Sequence, residues 1–222
     1  MGAKTWMLVY AEGLMRGRLV QTSTPDRAAT VALAHRLFPG ETLEPVEDGS
    51  LGWTNPPDGE LVIGSFPGFD VVAAKEFALD YPSRVPEKFI EAADGRTVYL
   101  HAMHSVVDWF AFGVWENGRL KRSLSLSPDK GILEDIGARL AFELPYWEGK
   151  HPLIGPGEEP TDYPFVFHPL ELGDAALRAL FGYYMEGLSD ATMVHAETIP
   201  LLRFRRSMGL NGDARWRWWK VW

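Results

Sequence analysis

Two histidines and an aspartate lie close together in the sequence and could supply acid–base or metal chemistry. His101 and His104 are three residues apart, and Asp108 follows four residues later. On a helix this spacing would bring the side chains to one face, whereas on a strand His101 and His104 point to opposite faces. The surrounding residues favour a strand, so we expect satisfied imidazoles in a sheet core. The alternative is a catalytic or metal site in which a β-bulge re-aims one ring.

Carboxylates and a further histidine could complete that alternative site. Asp135, Glu143 and His168 fall in segments that we expect to be irregular, where side chains can reach a cleft. Together with the two histidines and Asp108 they would provide the residue types that a small hydrolase or a metal-assisted enzyme needs.

Arg122 is a second candidate, for ligand binding. A hairpin centred on Asn117-Gly118 places Arg122 opposite Gly113 on an apolar strand face, where a glycine makes room for a long side chain. A buried guanidinium needs either a carboxylate partner or a bound anion. We favour an ion pair with an acid such as Asp135 or Glu143 over an anionic ligand.

Other common chemistries have no signal in this chain. There is no GxSxG nucleophile motif, and the glycine-containing segments GSFPGFD and GPGEEP lack the Lys-Ser/Thr end of a phosphate loop. With no cysteine, thiolate catalysis and sulfur-ligated metal sites are excluded. We therefore expect no metal and no cofactor. Ser123, Ser125 and Ser127 alternate along one strand and predict a hydroxylated sheet surface.

The C-terminal end is basic and rich in tryptophan. Residues 203–222 carry a net charge of +5, whereas the whole chain carries −8, which leaves −13 on the remainder. This pattern suits docking on the protein's own acidic surface or on another subunit, a protein partner, or an anionic membrane surface. Nucleic-acid binding is disfavoured because the acidic body repels phosphates. The candidate binding residues of the tail are Arg215, Trp216, Arg217, Trp218, Trp219 and Trp222.

The hairpin itself is predicted by its turn. Asn-Gly at the two central positions accepts positive φ angles, which suits the turn type that matches strand twist. Counting outward gives one apolar face and one face that is half aromatic and half hydroxyl, which we expect to be partly covered. The pairs on the apolar face are Trp115 with Leu120, Gly113 with Arg122, Ala111 with Leu124, and Trp109 with Leu126. Those on the other face are Val114 with Lys121, Phe112 with Ser123, Phe110 with Ser125, and Asp108 with Ser127.

The remaining pattern predicts an α+β fold in one domain over residues 1–206, followed by a basic Trp-rich tail over 207–222. The sheet is expected to be mixed but mostly antiparallel, centred on the strands of residues 97–126, with helices packed on it. Residues 142–169 are expected to form an irregular surface excursion. The predicted helices cover 25–38, 86–94 and 172–186, and the other strands cover 5–10, 43–46, 61–65, 69–74 and 199–204.

The location of the protein is predicted from composition. The absence of cysteine is compatible with a reducing compartment. The N-terminus has no cleavage pattern of a secretory signal. The longest apolar run, 99–115, contains His101, His104 and Asp108 and is too short to span a bilayer. We expect a soluble cytoplasmic protein.

Long motifs resemble an uncharacterised family of actinobacterial proteins known as a domain of unknown function. They include YLHAMHSVVDWFAFGVWENGRLKRSLSLSPDKGILEDIG, FELPYWEGKHP and FHPLELGDAALRALFG, and the likeness covers roughly residues 1–202. The resemblance carries no catalytic residue and does not extend to the tail.

The sequence is compatible with three functions. Because no catalytic motif converges, we expect a non-enzymatic interaction or regulatory protein with a protein partner. The alternatives are a small hydrolase or metal-assisted enzyme using His101, His104 and Asp108, and a peripheral membrane protein held by the tail.

Overall fold

A computed structural model describes residues 4–154, 162–185 and 193–208 of the chain. The strands in these ranges are β1 Lys4–Ala11, β2 Glu41–Pro45, β3 Gly49–Ser50, β4 Glu60–Phe66, β5 Phe69–Ala73, β6 Thr97–His104, β7 Trp109–Glu116, β8 Arg119–Ser127, β9 Gly131–Ile136 and β10 Pro200–Met208. The α-helices are α1 Arg27–Leu37, α2 Glu87–Glu91, α3 Leu144–Trp147 and α4 Pro169–Ala176. A π-helix, Leu177–Phe181, continues α4, and short 3₁₀ helices cover Met15–Gly17, Lys75–Phe77, Pro82–Arg84 and Ala196–Thr198.

The strands of the described residues form one sheet in the order β2-β10-β4-β5-β1-β6-β7-β8-β9, with β3 paired to β10. Every strand pair in it is antiparallel. The strands from β4 to β9 are joined largely as neighbours, whereas β10 returns from the end of the described chain to insert between β2 and β4. The predicted α+β single domain is therefore confirmed, with an antiparallel sheet.

Both faces of the sheet are buried, because successive side chains of a strand point to opposite sides. Met7 and Val9 of β1 pack into a core covered by α4 and the π-helix, which we call the α4 face. Leu8 and Tyr10 pack into a second core covered by α1 and α2, which we call the α1 face. The expectation that one face of the hairpin is only partly covered is wrong.

The turn of the β7–β8 hairpin and the predicted pair of Trp115 with Leu120 are confirmed, but the predicted register beyond that pair is wrong. Asn117 and Gly118 both have positive φ, of 51° and 72°. A β-bulge then shifts the ladder between Val114 and Trp115, so that Arg122 pairs with Val114 rather than with Gly113.

The bulge moves the serines of β8 to the α1 face and Arg122 to the α4 face. Ser123 and Ser125 are fully buried, and Ser125 accepts a hydrogen bond from Trp109 Nε1 at 3.2 Å. The predicted hydroxylated surface is therefore internal, and Gly113 makes room for the Trp115 ring instead of for Arg122.

The helices occur where the sequence predicts them, with shifted ends. Helix α1 begins at Arg27 rather than at residue 25, because Asp26 is its cap and its carboxylate accepts from Ala29 N at 3.0 Å. The last predicted helix begins earlier, because His168 caps α4 and Pro169 takes the first helical position. Its end is at Gly182, with a φ of 84°. Residues 183–185 of the predicted helix are therefore not helical, and residue 186 lies outside the described residues.

Strands β3 and β9 and helix α3 were not predicted, and Asp135 lies in β9 rather than in an irregular segment. Strand β9 forms one edge of the sheet, and β10 extends to Met208, two residues beyond the predicted domain boundary. In the ranges that the structure covers, no helix has the length and apolar character needed to cross a membrane.

Gly118→Val tests the hairpin turn. A Cβ at Gly118 would meet nothing within 4 Å, so the cost comes from the positive φ alone. We expect a loss of about 1 to 3 kcal/mol in the free energy of unfolding, measured by urea denaturation. Gly17→Val is the matched control, because Gly17 is equally open but has no positive φ. Equal stability of the two variants would contradict the assigned turn.

Candidate functional site

His101 is a buried structural residue of β6 on the α4 face. Its Nε2 lies 3.0 Å from the carbonyl oxygen of Gly173 and its Nδ1 lies 2.6 Å from Thr5 Oγ1. A carbonyl only accepts, so Nε2 carries the proton and the Thr5 hydroxyl donates to Nδ1. Burial lowers the pKa of His101 from 6.5 to about 4. The imidazole is neutral near pH 7, and both nitrogens are occupied.

His104 lies on the opposite, α1 face, as predicted, where its ring stacks against Trp6 with 6.4 Å between ring centroids. It is only partly buried, so the expectation of a core position is wrong for this histidine. Its Nδ1 accepts from Val106 N at 3.2 Å. Burial and the nearby Lys4 and Lys75 lower the pKa of His104.

Asp108 joins neither of these histidines but lies beside His168. Asp108 Oδ2 is 3.5 Å from His168 Nε2, and the ring of Tyr163 stacks on His168 with 5.9 Å between centroids. His168 Nδ1 accepts from Leu170 N at 3.3 Å as the cap of α4. His101, His104 and Asp108 therefore do not form one site. Within residues 4–154, 162–185 and 193–208, no group of three or more His, Asp or Glu side chains could hold a metal ion.

Arg122 forms the buried ion pair that the sequence favours. Its Nε donates to Glu143 Oε1 at 2.9 Å and its Nη2 to Glu143 Oε2 at 2.6 Å, while Nη1 donates to the Asp135 carboxylate. The Arg122 and Glu143 side chains are both fully buried. Burial opposes the charge on Arg122, but the hydrogen bonds to Glu143 and Asp135 outweigh it and raise its pKa. These carboxylates are thus structural partners of Arg122.

An open cleft lies on the α4 side of the molecule, between α4 and the segment around α3. Its volume is about 640 Å³. Tyr146 of α3 and His151 stack in parallel with 4.1 Å between ring centroids and form one wall. The other lining residues come from α4, its cap and the π-helix, and they are His168, Leu170, Glu171, Asp174, Ala175 and Arg178.

The two walls of the cleft are held together by specific contacts. Tyr146 Oη donates to the carbonyl oxygen of Glu171 at 3.1 Å, which ties α3 to α4. Asp174 accepts from Arg178 Nε at 2.8 Å, an i,i+4 pair. Arg178 also lies over the ring of Tyr184, with 4.9 Å to the centroid. The cleft therefore has fixed walls.

The cleft is acidic. Glu171 and Asp174 carry two negative charges against the one positive charge of Arg178, and the Glu171 side chain is exposed to solvent. Burial, together with the charges of Glu171 and Asp174, raises the pKa of Tyr146 to about 12, so its hydroxyl keeps its proton. A bound segment would meet a carboxylate, an aromatic pair and the apolar Leu170 and Ala175.

Sequence reasoning singled out only His168 among the lining residues of this cleft. The signal for the others was the segment HPLELGDAALR, in which His168-Pro169 marks a helix start and positions 171, 174, 175 and 178 share one helical face. No local sequence pattern predicts that Tyr146 and His151 lie opposite this helical face.

The tail candidates Arg215, Trp216, Arg217, Trp218, Trp219 and Trp222 lie outside the described residues. Three of the basic residues counted with the tail belong instead to β10 and pair with acids. Arg203 Nε is 2.7 Å from Glu60, Arg206 Nε is 2.8 Å from Glu41, and Arg205 Nη1 is 3.9 Å from Glu44. The contrast in charge between body and tail is thus smaller than the sequence indicates.

Comparison with known proteins gives one match. The model of a family of unknown function, DUF6928, matches residues 5–204. No curated protein and no solved structure matches the chain.

His101→Gln tests the structural role of the buried histidine. At about pH 7 we expect a loss of about 1 to 3 kcal/mol, because a buried hydrogen bond is lost. Between its folded pKa of about 4 and its ordinary value of 6.5, only the unfolded state binds the proton, so acidification destabilises the fold. From about pH 7 to about pH 5 the wild type should lose about 2 kcal/mol through this group, and His101→Gln should lack that loss. Urea unfolding at both pH values measures it, with the exposed His35→Gln as control.

Glu143→Gln tests the ion pair. Removing the negative charge leaves the Arg122 guanidinium buried with weakened compensation, which should cost about 3 to 5 kcal/mol in the free energy of unfolding. Glu148→Gln, at an exposed ion pair with Lys150, should change stability by less than about 0.5 kcal/mol. A Glu143→Gln protein as stable as this control would show that the pair is not needed.

Proposed function

We propose that this protein, which belongs to the DUF6928 family of unknown function, is a non-enzymatic interaction protein that binds a partner protein in the α4 cleft. The main support is the open cleft, which combines an aromatic wall, apolar residues and the Glu171 carboxylate, which has no ion pair among the described residues. Grooves with a few polar groups set among apolar and aromatic side chains are typical of binding sites.

The histidines support binding rather than catalysis. His168 uses Nδ1 to cap α4 and directs Nε2 toward Asp108, so neither nitrogen is free to accept a proton from a substrate. Both nitrogens of His101 are occupied as well, and the ring is buried.

The charge of the cleft indicates the chemistry of the partner. Glu171 is exposed, and the lining residues have a net negative charge. A partner segment with a Lys or Arg to meet Glu171, and an apolar or aromatic residue to lie against Tyr146 and Leu170, would be complementary to this surface. We place the interaction in the cytoplasm, on the basis of the cysteine-free composition. The resemblance to a family of actinobacterial proteins implies an actinobacterial source.

Site-specific photo-cross-linking in cells tests the proposal. A photoreactive phenylalanine analogue at His151, which is exposed in the cleft, should capture a defined protein partner. The same analogue at Glu91, exposed on α2 at the opposite face of the sheet, should not capture it. Glu171→Lys should weaken binding of the isolated partner by about tenfold or more, whereas Glu91→Lys should leave it unchanged.

A shortened chain separates the cleft from the tail. A chain ending at Met208 keeps all of β10 and should bind the partner as the full chain does. If the partner is lost from this chain but retained by Glu171→Lys, the tail holds it and the cleft proposal is wrong. Equal cross-linking from His151 and Glu91 would also refute the proposal.

A further inference from the structure

Lys4, Lys75 and His104 lie near the Trp6 indole on the α1 face, on the side of the sheet opposite α4. Lys4 is paired directly with His104 across β1 and β6, and Trp6 lies two residues further along β1 on the same face. The Trp6 and His104 rings stack with an interplanar angle of 17°. Lys75, from the 3₁₀ helix after β5, places its Nζ 4.5 Å from the centroid of the Trp6 ring. We call these residues the Lys4 cluster.

The Lys4 cluster is positively charged and lacks an internal counter-ion. The charged groups that act on His104 are Lys4 and Lys75. Neither lysine forms an ion pair with a carboxylate of the described residues. Lys130 pairs with Asp80 at 3.0 Å and Lys150 with Glu148 at 2.7 Å, whereas Lys88 donates to the carbonyl oxygen of Leu37 at 3.0 Å. Two adjacent lysines without such a partner are therefore a site of unneutralised positive charge.

The cluster also offers hydrogen-bond donors of the right kind for an oxyanion. His104 Nδ1 accepts from Val106 N, so the neutral ring carries its proton on Nε2, which is a donor. Each ammonium group adds further donors. Inorganic phosphate and phosphate monoesters carry a charge of about −1.5 to −2 near pH 7, which two lysines match. The phosphodiester of a phospholipid carries a single negative charge and offers the same kind of acceptor oxygens.

We propose that Lys4, Lys75 and His104 form a binding site for a phosphate group. The Trp6 ring contacts both Lys75 and the imidazole of His104. The adjoining loop presents Val106, 74% exposed, and Val107, 49% exposed. A phospholipid would bring apolar surface to these valines, whereas a soluble phosphate compound would leave them in water.

Histidine NMR of the full-length chain in phosphate-free buffer tests the site. Inorganic phosphate should shift the His104 ring signals in a saturable manner and raise the pKa of His104, because the anion offsets the field of the two lysines. Vesicles that contain phosphatidylglycerol, compared with pure phosphatidylcholine vesicles, form the second arm. A response to inorganic phosphate identifies a soluble source, and a response to phosphatidylglycerol vesicles alone identifies a lipid headgroup.

Lys4→Gln/Lys75→Gln should weaken the affinity by about tenfold or more, since charge-assisted hydrogen bonds are lost. It should also raise the pKa of His104 before any ligand is added, a change that loss of binding alone would not cause. Lys121→Gln/Lys150→Gln removes the same charge elsewhere and should respond as the wild type does. An unchanged His104 signal in both arms, or equal affinities of the wild type and Lys4→Gln/Lys75→Gln, would overturn the proposal.

Discussion

The buried pair of Arg122 and Glu143 is the interaction on which the cleft side of the protein depends. Removing two charges from water is costly, and the cost is offset only if nearly every donor of the guanidinium finds an acceptor. Here the acceptors come from Glu143, from Asp135 of β9 and from backbone carbonyls at Ile136 and Ser123. One side chain of β8 thus holds the edge strand and the segment that leads into α3. Glu143 in turn accepts from Leu140 N at 2.7 Å, which sets the start of α3 and so the position of Tyr146.

A second anchor fixes the other wall of the cleft. His101 reaches from the sheet to the carbonyl oxygen of Gly173 and so ties α4 to β6. The close approach of α4 to the sheet favours glycine at position 173. A Cβ on Gly173 would lie 2.8 Å from Met103 Sδ and 3.0 Å from Phe110 Cδ2. The histidine with the most conspicuous sequence context is therefore a positioning residue of the helix that lines the cleft. Because His101 is buried, its imidazole is neutral and cannot reach a substrate in solvent.

The sheet separates two surfaces of opposite charge. The α4 cleft combines carboxylates with aromatic and apolar residues, whereas the Lys4 cluster, on the α1 face, combines ammonium groups with an indole and an imidazole. Each surface lies beside one of the two packed cores that cover the faces of the sheet. A protein that brings a basic partner segment and a phosphate-bearing molecule to opposite sides of one sheet would act as an adaptor. That view agrees with an interaction function better than with a single reaction centre.

Local sequence patterns predict those features of the fold that depend on backbone geometry within one segment. Backbone preferences predict the Asn117-Gly118 turn, the strand over residues 97–104 and the opposite faces of His101 and His104. The cost of burying charge predicts that Arg122 needs a carboxylate. Tertiary structure decided what depends on contacts between distant segments. A single bulge reversed the faces of β8 beyond Trp115, which no local pattern marks, and placed Arg122 rather than serines on the α4 face. The cleft was assembled from residues 146–151 and 168–178, and the Lys4 cluster from residues 4, 75 and 104, because strand order and helix packing bring together side chains that sequence spacing keeps apart.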